Sequence, residues 1–178
     1  FPSLIENLTP ETSAKRLGAD RFKLLGGEGA DLPAAHIPTL VQAMRDGIPY
    51  RVRAFLVFGN NTLTTFANAS TAYEALKKLD FMICADLFMT PTAELADIVL
   101  PATTSFEVDD IVAGYGGYWV QDAPAVIPPV GESRPNNEVA HGLAIRLGLD
   151  GDAFDPRPAR LRELMVGSFE LPLRLQAE

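Results

Sequence analysis

Residues 75–102, "ALKKLDFMICADLFMTPTAELADIVLPA", decide the fold. The run "DFMICADLF" is apolar apart from its acids, as a strand covered on both faces is. "TPTAELAD" then supplies a hydroxyl cap, a proline and an acid, the signals that open a helix. "IVLPA" is a further strand of about four residues, halted at Pro101 because proline has no N–H to give to a ladder. Strand, helix and strand in that order imply parallel pairing through a crossover.

The same unit extends upstream. Ala69 to Leu79 place Ala72, Leu76 and Leu79 on one helical face and turn Lys77 and Lys78 away. Before it, "YRVRAFLVFG" (50–59) alternates at Val52 and Arg53 and is continuously apolar from Ala54 to Phe58, which fits a central parallel strand. Ile37, Leu40, Val41 and Met44 recur at helical spacing, with Pro38 in the first turn and Gly47 at the end. The alternation predicts an α/β domain: a three-layer αβα sandwich with a mainly parallel, Rossmann-like sheet. It spans residues 36–149. Residues 1–35 form an irregular approach with a short helix near Pro10 to Leu17, capped by Thr9 and stopped by Gly18. Residues 111–133 lose periodicity and gain glycines and prolines, predicting a long surface loop with a short extended piece at "YWVQD". "RPNNEVAHGLAIRLGL" closes the domain as a helix with Val139, Leu143 and Leu147 on one face and Gly148 at its end. Residues 150–178 are an extension with one short helix in "DPRPARLRELMVGSF".

A chain of 178 residues, 47% apolar, suffices for one sizeable core. Its net charge of −8 offers no basic stripe to displace counterions from nucleic acid. The single cysteine, Cys84, lies in an apolar run, so a disulfide framework is excluded and an inert thiol expected. No run reaches the roughly 18 apolar residues of a membrane span, and "FPSLIENLTP" lacks the regions of a secretory signal. The expectation is a cytoplasmic location without membrane contact. A start at Phe1 rather than methionine suggests a piece of a longer polypeptide, whose own export signal would change that location.

Ligands of parallel sheets bind beyond the carboxyl ends of the strands, which sets the candidates. At the first end, "FGNN", Gly59 permits close backbone approach and Asn60 and Asn61 offer donors and acceptors; the competing reading is a turn of good turn residues. At the second, Asp86 has two oxygens that match the adjacent N1 and N2 donors of guanine, while Thr90 serves as the helix cap. At the third, Thr103, Thr104 and Glu107 follow Pro101; Glu107 either holds backbone amides or meets a ligand. Asp109 and Asp110 read as solvated. His36 and His141 lack partners at metal-ligand spacing, so no metal ligand and no catalytic residue is assigned. Phosphate loop, glycine fingerprint, serine elbow and zinc motif are all missing.

Taken in order, "FGNN", "ALKKLDFMICADLFMTPTA", "ADIVLPA" and Glu107 resemble the molybdopterin oxidoreductases, the family of dimethyl sulfoxide reductase, nitrate reductase and formate dehydrogenase. "PPVGESRPNNEVAHGLAIRLG" is similar to the family's segment after its variable loop, and the likeness covers most of residues 36–149. It implies a domain that grips the guanosine end of one molybdopterin guanine dinucleotide. The parent would carry the bis form with molybdenum or tungsten and perform oxygen-atom or two-electron transfer. By the resemblance Asp86 binds guanine, Asn60 or Asn61 contacts the nucleotide or pterin, and Thr90, Glu107 and Asn136 line the same crevice with Gly59. Asn136 stands where the family often has aspartate, and Thr62 where it usually has proline. The cysteine-rich start that holds a 4Fe-4S cluster in many members, the metal ligand and the closing domain have no counterpart here. The implied partners are the parent's remaining domains and an electron-transfer protein; activity of the piece alone is not expected. Two alternatives stand beside this: a non-catalytic relative of the same fold, as in the large subunit of respiratory complex I, and an independent flavodoxin-like nucleotide module. Asp86 and the asparagine pair weigh against the first, the missing phosphate loop against the second.

Overall fold

The computed structural model describes residues 9–22, 34–113, 120–151, 155–160 and 163. They fall into two compact units that divide between Leu100 and Pro101. In the first, α1 (Pro10–Ala14) is followed by α2 (Ile37–Asp46), β1 (Ala54–Phe58), α3 (Thr62–Thr65), α4 (Ala69–Leu76), β2 (Phe81–Asp86), a 3₁₀ turn (Ala93–Leu95) and β3 (Ile98–Pro101). The second contains β4 (Asp110–Ala113), β5 (Val120–Ala123) and α5 (Asn136–Arg146).

Each helix begins and ends where its sequence has the means. The Thr9 hydroxyl accepts from the Thr12 amide at the start of α1, as expected. Gly47, at φ +73°, closes α2 by donating its amide to the Ala43 carbonyl. Asn68, at φ +60°, caps α4 by accepting from Thr71 N. The 3₁₀ turn is shorter than the helix expected from "TPTAELAD". Asp97 explains this: its amide donates to Met82 O and its carboxylate accepts from Met82 N at 2.7 Å, drawing the chain into strand pairing after one turn.

The sheet order is β1-β2-β3, with β2 central and parallel to β1. The register sets Phe55 beside Met82 and Val57 beside Cys84 on one face, with Leu56 beside Ile83 on the other. The first face meets Val41 and Met44 of α2 and Ala75 and Leu76 of α4, and together they form the core. Burial of each such large side chain contributes roughly 1.5–3 kcal/mol. On the second face Leu56 is 44% exposed, and Phe81 and Ile98 are exposed as well. The α/β class and the parallel sheet agree with the sequence. The continuous apolar run of β1 suggested cover on both faces; among the described residues α2 and α4 supply it on one.

At the amino edge, Asp80 takes both Arg53, at 2.7 Å, and Arg51, while Arg53 O accepts the amides of Asp80 and Phe81. These contacts hitch the crossover to the start of β1.

In the second unit β4 and β5 pair antiparallel, Asp110 opposite Ala123. β5 overlaps the extended piece expected at "YWVQD", whereas β4 was read as loop. Asp110 is exposed, as a solvated acid is, and among the described residues accepts only from the next amide, Ile111 N, at 2.7 Å; Asp109, partly exposed, also accepts from Ala125 N at 2.9 Å. In α5, Ala144 rather than Leu147 is the buried position. Gly148 follows the helix at φ +71°, as its sequence position suggests. Residues 158–160 and 163 are helical, and the rest of the expected terminal helix lies outside the described residues.

Candidate functional site

β1 and β2 end together. The Gly59 amide donates to Ala85 O at 3.1 Å, which continues the ladder past Phe58 and sets the Gly59–Asn61 bend beside Asp86 at the carboxyl edge. Gly59 adopts φ +59°, and a Cβ built on it would meet no atom within 4 Å, so its backbone face is open to an approaching group.

The two asparagines are held by hydroxyls. Asn60 Oδ1 accepts from Thr65 Oγ1 at 2.9 Å. Asn61 Oδ1 accepts from Thr92 Oγ1 at 2.6 Å, and the same Thr92 oxygen accepts from Leu63 N at 2.9 Å. Asn61 also ends its strand turn as the residue before α3, its carbonyl taking the amides of Thr64 and Thr65. The sequence reading missed α3 and Thr92. An Asn followed by three threonines within four residues was the available signal for a capped turn.

Asp86 closes β2 half-buried, with Oδ1 accepting from Phe88 N at 3.2 Å, a short local turn. Its second oxygen and the rest of the first remain for a donor pair. Thr90 Oγ1 accepts from Ala93 N at 3.2 Å, the capping role read from the sequence. Cys84 lies inside the core, where burial pushes its thiol up and the Asp86 charge adds to the shift; such a thiol is an inert one.

Glu107 and Asn136 belong to the second unit. Glu107 is 6% exposed, and its carboxylate accepts from Thr104 N at 2.7 Å, Thr104 Oγ1 at 2.8 Å and Val130 N at 2.7 Å. The bonds from Thr104 and then from Val130 hold it below the usual carboxylate range against the opposing effect of burial. Of its two possible roles, holding backbone is the one its contacts perform. Asn136 is the exposed first residue of α5.

His36 stacks on Phe22 and pairs Nδ1 with Thr39 Oγ1, and His141 Nδ1 lies 3.2 Å from Gly151 O. Among the described residues no group of three His, Cys, Asp or Glu side chains is arranged to hold a metal. A surface cavity of about 280 Å³ lies at the amino edge, lined by Met44, Arg45, Asp46, Gly47, Arg51 and Lys78. Its cations have partners: Arg45 on Asp46, Arg51 on Asp80 and Lys78 on Arg45 O. They also complement the carboxyl ends of α2 and α4, so the cavity reads as structural.

Residues 11–146 match the model of the molybdopterin oxidoreductase family. The chain belongs to that family. It is 34% identical over 141 residues to acetylene hydratase of Syntrophotalea acetylenica, covering 79% of this chain and 19% of that protein. It is 38% identical over 116 residues to "Probable oxidoreductase YoaE" of Bacillus subtilis (strain 168), covering 64% of this chain and 17% of that one. The solved acetylene hydratase from Pelobacter acetylenicus superposes with a TM-score of 0.67 and 31% identity, over 87% of this chain and 21% of its own. The chain therefore spans about one fifth of the length of these relatives. Family membership implies a molybdopterin cofactor, and the carboxyl edge has the chemistry for part of one: an acceptor-only carboxylate, two carboxamides and an open glycine.

Proposed function

We propose that the first unit seats the guanosine end of a molybdopterin guanine dinucleotide within a larger molybdenum or tungsten oxidoreductase. The observation that carries this reading is the Gly59 amide on Ala85 O, which sets the bend beside Asp86 on one rim. The Asp86 carboxylate accepts from guanine N1 and N2 together; adenine presents no such donor pair, so Asp86 selects the base. Gly59 admits the ligand close to the backbone, and Asn60 and Asn61 meet its polar atoms. Thr90 shapes the rim through its bond from Ala93 N. The bound cofactor supplies the redox or oxygen-transfer chemistry, and this chain's residues bind, orient and discriminate. Glu107 acts by securing Thr104 and Val130, and Asn136 presents an exposed carboxamide from α5. A non-catalytic relative of the same fold would have no use for a base reader at the end of β2.

In the whole parent enzyme, Asp86→Ala is expected to lower the guanine held at this seat at least tenfold, so that a parent with two dinucleotides falls from two toward one per chain, measured as nucleotide released on denaturation. Wild-type guanine content in that variant overturns the assignment. Asp86→Asn, which puts a donor against a donor, is expected to lose guanine as well.

A further inference from the structure

We propose that Thr92 is a positioning residue for this seat: it fixes the sense of the Asn61 carboxamide, so that the bend after β1 presents N–H donors and receives acceptor oxygens of the ligand. The proposal rests on the reading of the carboxyl edge as a dinucleotide seat.

Thr92 is 0% exposed and so has no surface from which to touch a ligand. Its hydroxyl nevertheless spans 31 residues to Asn61 and 29 to Leu63, tying the end of β1 to the loop after β2. The hydroxyl has one proton to give and receives one from Leu63 N. Turning the carboxamide over would aim a second N–H at the Thr92 oxygen and strand the buried hydroxyl proton, an arrangement that burial penalises. Oδ1 therefore faces Thr92, and the side of the Asn61 carboxamide turned away from Thr92 presents its two Nδ2 protons.

Asn60 is treated in the same way. Its Oδ1 accepts from Thr65 Oγ1 at 2.9 Å, shorter than the 3.4 Å from that hydroxyl to Thr62 O, so the proton goes to Asn60. Both carboxamides in the bend thus turn their oxygens toward threonines. Beside them Asp86, a carboxylate, has acceptors alone. The rim is polarised: donors at the end of β1, acceptors at the end of β2. Such a rim orients an amphoteric ligand, with its N–H groups at Asp86 and its carbonyl or phosphate oxygens at the bend.

The test uses the whole parent enzyme and reads the guanine dinucleotide retained at this seat after gel filtration, taken as the amount per chain above the equivalent contributed by the parent's other dinucleotide, together with a thermal melt. Thr92→Val is expected to lower retention at least fivefold, and Thr92→Ser to restore it within twofold. In an Asn61→Ala background Thr92→Val is expected to add nothing, because its effect runs through Asn61. Asn61→Asp leaves an acceptor for Thr92 but replaces the donors; it is expected to melt within a few degrees of wild type and to lose dinucleotide at least tenfold. Should Thr92→Val not fold, Asn61→Asp decides alone. Retention in Thr92→Val or Asn61→Asp, or an undiminished Thr92→Val effect without Asn61, overturns the proposal. If Asp86→Ala retains dinucleotide while Asn61→Asp loses it, the guanine reading fails and the donor rim stands; the reverse pattern sinks the rim and keeps the base reader.

Discussion

Three bonds on one carboxylate make Glu107 a pH-sensitive group of the second unit. Its folded pKa lies below the unfolded value, so its contribution to stability is complete above the ordinary carboxylate range and disappears as pH falls through the depressed folded value. Glu107→Gln is expected to flatten that acid limb of the stability curve, followed by circular dichroism in a denaturant series at successive pH values. An unchanged limb would assign the acid sensitivity elsewhere. The sequence allowed Glu107 two roles because a carboxylate serves amides and ligands with the same lone pairs. The bond from Thr104 N is local, but the placement of Val130, 23 residues away, completes the backbone-holding role, and no local pattern encodes it. Thr92 was invisible for a related reason: its partner lies 31 residues off, whereas Thr90 advertises its cap three residues before Ala93.

Elements were more legible than contacts. Periodicity placed α2, α4, β1, β2 and β3 because each carries an apolar repeat of its own. It failed for α3, four residues of which three are threonine, and for β4, whose partner strand lies beyond a glycine-rich stretch. The ends make measurable claims. Gly47 sits at φ +73°, so Gly47→Ala is expected to cost about 1 kcal/mol through a left-handed backbone alone, since the nearest atom to the new methyl, Arg51 Cβ, is 3.9 Å away. Asn68 caps α4 at φ +60°; Asn68→Ala is expected to cost about 1–2 kcal/mol and Asn68→Gly only a few tenths, because glycine keeps the backbone and loses only the side-chain bond to Thr71 N. Urea unfolding of the three variants checks the order. Equal losses for Ala and Gly at position 68 would show that the backbone term is absent.

At the scale of the molecule, the two faces of the parallel sheet differ. Met82 is 2% exposed and Leu56 on the adjacent strand 44%, so Met82→Ala is expected to cost about 2–5 kcal/mol and Leu56→Ala less than about 1 kcal/mol, read by the same denaturant series. A comparable loss at both positions would mean that the second face is packed. The sequence did not predict this asymmetry, because an apolar strand reads alike whether its cover lies within the chain or comes from further parts of a longer polypeptide. Family and sheet were readable because the motifs sit where strands stop; the wiring of the rim was not, because it depends on hydroxyls meeting across two loops. The Asp80 clasp with Arg51 and Arg53 has its own bearing on how such a domain changes over time. Because the crossover is tethered upstream of both strands, residues added to or lost from the stretch between Lys77 and Asp80 would slacken or strain the chain on the amino side of that tether first. A change of length there would be absorbed a full strand away from the bend, leaving Gly59 and Asp86 abreast.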